Sequence, residues 1–144
     1  MPFIIVTVIV ILDQLTKYLV TQGLALHESL PLIKGVFHLT LVHNTGAAFG
    51  VLRNQLPFFI ATAFICIFFI AFNLRARADR KSRTVSLSLI LAGAVGNLID
   101  RLLHGHVIDF LDFRIWPVFN LADSAITVGA VVLAVTIIRD KNVS

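Results

Sequence analysis

The chain has 144 residues, of which 58% are hydrophobic and only 14% are charged, and its mean hydropathy is +0.92. Since about a quarter of the residues of a soluble domain are charged, this composition excludes an ordinary water-soluble globule. The length predicts one domain over residues 1–144, mainly helical and covered by lipid. The net charge of +4 does not indicate nucleic-acid binding, because five of the 12 basic residues lie together at 75–83 and no nucleic-acid-binding motif is present.

Four stretches are apolar enough to cross a membrane, since a spanning helix needs about 20 mainly apolar residues. We predict helices over residues 2–24, 56–74, 84–103 and 118–138. The first stretch lacks a preceding basic region and its apolar run continues, so we interpret it as a retained span and not as a cleaved signal peptide. The predicted fold class is therefore an all-α integral membrane protein with four transmembrane helices.

The basic residues predict the orientation of these helices. The short segment Arg75–Arg83 carries five of them, and the carboxyl-terminal tail adds Arg139 and Lys141. Because cytoplasmic loops are enriched in Lys and Arg, both termini are expected in the cytoplasm. Residues 25–55 and 104–117 are then expected on the outer side of the membrane.

The first outer segment is too long for a simple connection. Its stretch "PLIKGVFHLTLVHN" alternates loosely and is rich in Val, Leu, Phe and Thr, which predicts one or two short strands at the membrane surface. The motif "NTGAAFG" follows, and Gly46 and Gly50 allow tight backbone turns there.

Polar side chains interrupt three of the four predicted spans. With a rise of about 1.5 Å per residue, all of them lie in the outer half of the membrane or near its midplane. Spacings of three or four residues place several of them on common helix faces, so that they can point into the bundle. These residues are Asp13, Lys17, Asn97, Asp100, Arg101, Asn120 and Asp123.

Ionisable groups inside a membrane usually mark function, but structural readings exist for most of these. Asp13 and Lys17 could form a local ion pair that holds the helix near the surface. Arg101 could reach the interface or pair with a carboxylate, and the asparagines could join helices by hydrogen bonds. Asp123 has no basic residue near it in sequence, so it is the strongest candidate for chemistry.

A second carboxylate precedes the last span. In "GHVIDFLDF", Asp109 lies between apolar residues in the segment that joins the last two spans, so it could approach Asp123. Two carboxylates at one water-poor site cannot both ionise easily. The charged member can activate a water molecule while the neutral member polarises a carbonyl group, as in aspartic proteases.

Three other functions remain open from the residues alone. The histidines of "HGH" at 104–106, with Asp109, could bind a metal ion, although this spacing is a weak signal. Intramembrane acids would also suit a small proton- or ion-coupled transporter, but no internal repeat is present and the acids lie toward one edge. A non-catalytic membrane subunit could use the same polar residues to join its helices.

Five motifs in order resemble the lipoprotein signal peptidase family, also called signal peptidase II. They are "DQLTK", "NTGAAFG", "GAVGNLIDR", "VIDF" and "FNLADSAI", and they cover nearly the whole chain. The resemblance implies a bacterial inner-membrane aspartyl endopeptidase that cuts prolipoproteins just before a diacylglyceryl-modified cysteine. It also implies a small β-cradle and a short helix on the outer, periplasmic side.

The resemblance also implies roles for single residues. Asp109 and Asp123 would be the catalytic pair, and Asp13 and Lys17 would be structural. Water would be the nucleophile, so neither a cofactor nor a metal is expected. The implied partners are membrane lipid and globomycin-type inhibitors, and the protein is expected to be a monomer. The supporting residues of the site would be Asn44, Asn97, Asp100, Arg101 and Asn120.

Overall fold

The computed structural model describes residues 1–46, 55–76 and 81–141. Each of the four helices in these ranges is long and apolar enough to cross a membrane. A small sheet lies between them in the chain, so the predicted fold class is confirmed. The elements are α1 (Pro2–Gly23), β1 (Ser29–Ile33), β2 (Phe37–Asn44), α2 (Leu56–Ala76), α3 (Lys81–His104), β3 (Val107–Asp112) and α4 (Leu121–Lys141).

Helix α3 is the centre of the bundle and contacts each of the other three helices. Small residues let α4 approach it closely, as is usual where membrane helices pack. A Cβ atom at Gly93 would press against the backbone of Ala122, and one at Gly129 would lie 2.7 Å from the carbonyl oxygen of Ser86. The glycines therefore permit the contact that places the start of α4 beside α3.

Helix α2 packs against α3 but lies at the edge of the bundle. Leu74 near its end joins Leu87 and Leu91 of α3 in a small apolar cluster. Most other large side chains of α2 are exposed, including Phe64, Phe68, Phe69 and Phe72. In a membrane these side chains would face lipid, which is as apolar as they are.

The sheet lies where α1 and α3 end and α4 begins, since α1 contacts β2 and β3, and α3 contacts β3. It is antiparallel in the order β1-β2-β3. The sequence predicted strands only within the first outer segment and missed β3. This strand forms because β2 supplies its hydrogen-bonding partners, pairing Val42 with Asp109 and Asn44 with Val107.

Two helices begin at other residues than predicted, and one predicted element is not seen. Helix α3 begins at Lys81 instead of 84, and α4 begins at Leu121 instead of 118. The latter is delayed because Phe119 forms a β-bridge with Leu111. The described part of the chain contains no short outer helix. Residues 47–54, including most of "NTGAAFG" and the turn expected at Gly50, lie outside it.

Candidate active site

Strand β3 buries Asp109, which is only 1% exposed, at the end of the bundle. Both carboxylate oxygens accept hydrogen bonds from asparagine side chains. Asn44 Nδ2, at the end of β2, donates to Oδ2 over 2.9 Å. Asn120 Nδ2 donates to Oδ1 over 2.8 Å. The sheet and the start of α4 thus fix this carboxylate from two sides.

Asp123 lies in the first turn of α4 and takes part in starting that helix. The backbone N–H of Asp123 donates to Asn120 Oδ1 over 2.9 Å, and the backbone N–H of Asn120 donates to Asp123 Oδ2 over 3.3 Å. This reciprocal pair is a capping box, which satisfies backbone donors that a helix start leaves unpaired. Asp123 therefore lies closer to the helix start than the predicted boundary placed it.

Asn97 of α3 connects the two carboxylates. Its Nδ2 donates to Asp123 Oδ1 over 2.8 Å. Its Oδ1 accepts a hydrogen bond from Asn120 Nδ2 over 3.0 Å, and that same nitrogen bonds Asp109. Asp109 and Asp123 are therefore linked through two asparagine side chains. The structure brings together the two acids that the sequence singled out.

The surroundings of Asp109 shift its titration toward neutral pH. Burial, and after it the neighbouring charge of Asp123, raise the pKa of Asp109 to about 7, against the lowering effect of the hydrogen bonds from Asn44 and Asn120 and of the charge of Lys17. A carboxyl group with such a pKa can both hold a proton and release it readily near neutral pH.

Arg101 is partly buried near the end of α3. Its guanidinium group lies 5.0 Å from the centre of the Phe59 ring. Its Nη1 donates to the backbone oxygen of Asn97 over 3.5 Å, a long hydrogen bond. It is close enough to Asp123 and Asp109 for electrostatic attraction. Arg101 therefore supplies positive charge beside the acid pair.

Asp13 and Lys17 form the ion pair that their spacing predicted, but the pair is buried inside the protein and also includes Asp100. They are 0% and 2% exposed, and the Lys17 ammonium lies 2.8 Å from both Asp13 Oδ2 and Asp100 Oδ2. Lys17 Nζ also donates to Asn97 Oδ1 over 3.2 Å. We call Asp13, Gln14, Lys17 and Asp100 the ion cluster. It lies directly beside the asparagine that connects the acid pair.

The sequence reasoning missed Gln14. Its Nε2 lies within hydrogen-bonding distance of Asp100 Oδ1 at 2.9 Å, Asp13 Oδ2 at 3.2 Å and the backbone oxygen of Gly96 at 3.3 Å. A signal was available, because Gln14 is a polar residue within an apolar stretch and directly follows Asp13.

The histidines near the end of α3 and in β2 do not support the metal hypothesis. His43 stacks on His106 with ring centres 3.9 Å apart, and His104 lies 6.0 Å from His106. Partial burial and the nearby imidazoles lower the pKa values of His43 and His106. Within the described ranges, no group of three or more His, Cys, Asp or Glu side chains is arranged to hold a metal ion.

Four helices of membrane-spanning character, with a small sheet and a hydrogen-bonded acid pair at one end, define a class of multi-span membrane protein. Two solved bacterial membrane enzyme structures share this fold. One has a TM-score of 0.93 at 33% identity and covers 97% of this chain and 88% of its own. The other has a TM-score of 0.89 at 33% identity, with coverages of 96% and 93%.

The model of the signal peptidase (SPase) II family matches residues 5–139, and the chain belongs to this family. A lipoprotein signal peptidase of Halothermothrix orenii is 45% identical over 99% of both chains. One of Moorella thermoacetica is 50% identical over 92% of this chain and 90% of its own. The chain is therefore a bacterial multi-pass membrane peptidase, and the transporter and subunit alternatives are not favoured.

Proposed function

We propose that this member of the signal peptidase II family removes signal peptides from prolipoproteins by an aspartic mechanism, with Asp109 and Asp123 as the catalytic pair. The observation that carries the proposal is the linkage of the two carboxylates through Asn97 and Asn120, at distances of 2.8–3.0 Å. Such a pair shares one proton, because both acids cannot ionise easily at one water-poor site.

In the proposed step, Asp109 is the protonated member and Asp123 the charged one. Asp123 takes a proton from a water molecule, whose oxygen attacks the scissile carbonyl carbon. The Asp109 hydroxyl hydrogen-bonds the carbonyl oxygen and stabilises the charge that develops on it. The tetrahedral intermediate then breaks its C–N bond, and the leaving nitrogen receives the proton that Asp123 took from the water, which leaves Asp123 charged again. The pKa of Asp109, raised to about 7 by burial, supports this assignment of the proton.

The surrounding polar residues would support this chemistry without bond-making of their own. Asn44, Asn97 and Asn120 hold the carboxylates by the hydrogen bonds described above. Arg101 would stabilise negative charge on the pair and on the bound peptide. Asp100 acts from further away, through the ion cluster with Asp13 and Lys17.

The proposed substrate is a prolipoprotein cut just before its diacylglyceryl-modified cysteine. Its signal peptide and its lipid both lie in the membrane, so they would reach the site laterally. Exposed apolar side chains of the β1–β2 hairpin, including Leu30, Leu32 and Val36, would rest on the lipid surface beside the site. A globomycin-type inhibitor is expected to occupy the same acid pair.

The proposed topology places both termini in the cytoplasm and the acid pair on the outer face, in a monomer with one domain over residues 1–144. It is tested with a single cysteine at Lys34→Cys in a chain whose Cys66 is replaced by Ala. Lys34 is exposed in the β1–β2 turn, so a membrane-impermeant thiol reagent should label it in intact spheroplasts. Labelling only after lysis would show that the topology is the opposite of the proposed one.

The mechanism is tested with purified protein in lipid and a diacylglyceryl-modified prolipoprotein. Asp109→Asn and Asp123→Asn should each lower cleavage by about 10²–10⁴-fold, because each removes an acid–base group. Asp112→Asn is the control, since this carboxylate lies on the same strand but bonds Thr40 and Arg114 instead. Full activity in either of the first two variants would rule out the proposed pair. Unlipidated precursor should not be cut.

A further inference from the structure

Each proposed catalytic acid directly follows a residue whose backbone is held by another buried carboxylate. The N–H of Ile108, just before Asp109, donates to Asp100 Oδ2 over 3.0 Å. The N–H of Ala122, just before Asp123, donates to Asp13 Oδ1 over 2.9 Å. Two different helices thus fix the chain at the two points that carry the acid pair.

The two holding carboxylates are themselves joined. Lys17 Nζ lies 2.8 Å from an oxygen of each, and Gln14 Nε2 lies 2.9 Å from Asp100 Oδ1 and 3.2 Å from Asp13 Oδ2. Asp13, Lys17 and Asp100 are each at most 2% exposed. A continuous set of short contacts therefore runs from the backbone before one acid to the backbone before the other.

Close packing makes this arrangement stiff. A Cβ atom at Gly96 of α3 would lie 2.6 Å from Asp13 Oδ2, so only glycine lets the Asp13 carboxylate rest directly on α3. The Gln14 amide also reaches the backbone oxygen of Gly96 over 3.3 Å. Gln14 therefore ties α1 to α3 at the level where the ion cluster holds both backbone segments.

We propose that Gln14 is a positioning residue that, together with Asp13, Lys17 and Asp100, sets the separation of the Asp109 and Asp123 carboxylates. The inference rests on the proposed catalytic pair and adds how its spacing is maintained. Catalytic groups must be held to within about 0.5 Å of their productive geometry, and this requires supporting residues whose own positions are fixed.

A substitution at Gln14 can test positioning without changing the charge balance of the ion cluster. Replacing Lys17 or either carboxylate would leave buried charge without a partner, and the protein could simply fail to fold. Gln14 is neutral, and its replacement by methionine of similar length leaves Lys17 between Asp13 and Asp100. Only the amide contacts between these carboxylates and Gly96 are lost. A change of activity in this variant therefore reports on geometry.

The experiment compares Gln14→Met with Thr16→Val in lipid, using the lipidated precursor. Thr16 is a matched control, because its hydroxyl bonds only the backbone oxygens of Leu12 and Asp13 in its own helix. We expect kcat of Gln14→Met to fall by about 10–100-fold, since a misplacement of 1 Å can cost about 100-fold. KM should change by less than about 2-fold, and Thr16→Val should match the wild type.

A pH profile of kcat distinguishes positioning from a merely structural role. The charged groups acting on Asp109 are Asp123, Lys17 and Arg101. A wider separation from Asp123 lowers the pKa of Asp109, so the basic limb of the Gln14→Met profile should move to lower pH. An unchanged kcat, or a loss of kcat with an unmoved limb and a lower melting temperature, would overturn the inference. Full activity of Asp109→Asn or Asp123→Asn would instead overturn the proposed function.

Discussion

Helices α2 and α3 pack side by side but are built in opposite ways. The most apolar 18 residues of α2 have a mean hydropathy of 2.3, and none of them is buried. The most apolar 18 residues of α3 have a mean hydropathy of only 1.4, and 56% of them are buried. The buried residues of α3 include glycine, alanine, serine and the polar Asn97 and Asp100. In lipid, therefore, small and polar residues mark the interior, and the most hydrophobic helix is the least buried.

The largest difference in stability between substitutions in the polar interior and substitutions at exposed positions is expected for buried charge. Lys17→Met would leave the carboxylates of Asp13 and Asp100 without their shared cation, at a cost of about 3–5 kcal/mol in the free energy of unfolding. Lys34→Met is the matched control at an exposed lysine and should be nearly neutral. Thermal unfolding by circular dichroism in one detergent checks both. Equal melting temperatures would contradict the role of the ion cluster.

A smaller effect is expected from added volume. Gly93→Ala would force a Cβ atom against the Ala122 backbone and to 2.6 Å from Ile126 Cγ1, which should destabilise the protein by about 1–3 kcal/mol. Ala61→Val adds volume to an exposed position of α2, where lipid can move aside. The same unfolding measurement applies. If the two variants have the same melting temperature, the α3–α4 contact is looser than the structure indicates.

The pH dependence of cleavage should come from the end of the bundle that holds the acid pair. Helix α2 should not contribute, because it carries no ionisable group before Arg75 other than Cys66. Since the pKa of Asp109 is raised to about 7, cleavage should fall above that pH by about tenfold per pH unit as its proton is lost. The initial rate on lipidated precursor from pH 5 to about 9 checks this. A flat profile across pH 7 would contradict the assignment.

The same group links pH to stability. Burial raises the pKa of Asp109 from 3.8 in the unfolded chain to about 7 in the folded protein. The contribution of Asp109 to the free energy of unfolding is therefore greatest below pH 3.8 and is lost as the pH rises through about 7. Asp109→Asn has no such proton to lose. The melting temperature of the wild type should therefore fall relative to that of Asp109→Asn as the pH rises from 3.8 to about 7. A constant difference between the two melting temperatures would count against a raised pKa.

The smallest effect is expected on the lipid-facing side of α2. Phe68→Leu exchanges one exposed apolar side chain for another and should change stability by less than about 0.5 kcal/mol. The same substitution at Phe110, which is 5% exposed in β3, should cost about 1 kcal/mol or more by leaving a cavity. A reversed order would mean that α2 contacts a partner instead of lipid.

The sequence was sufficient for the four spans and for expecting Asp109 to approach Asp123, because hydropathy and acids next to apolar residues are local signals. It was insufficient for β3, whose pairing depends on β2 more than 60 residues earlier in the chain. It also placed the start of α4 too early, because hydropathy cannot register the bridge at Phe119. Spacing showed that Lys17 can meet Asp13, but only packing brings Asp100 to the same ammonium.

The capping box at Asn120 and Asp123 constrains how this protein could escape an inhibitor. The Asp123 carboxylate accepts the Asn120 backbone N–H, so the group proposed for catalysis also begins a membrane-spanning helix. A compound that binds this carboxylate would contact an atom that the chain cannot replace without loosening its own fold. Resistance substitutions should therefore arise around the acid pair, in side chains that shape access to it, and not at the pair itself.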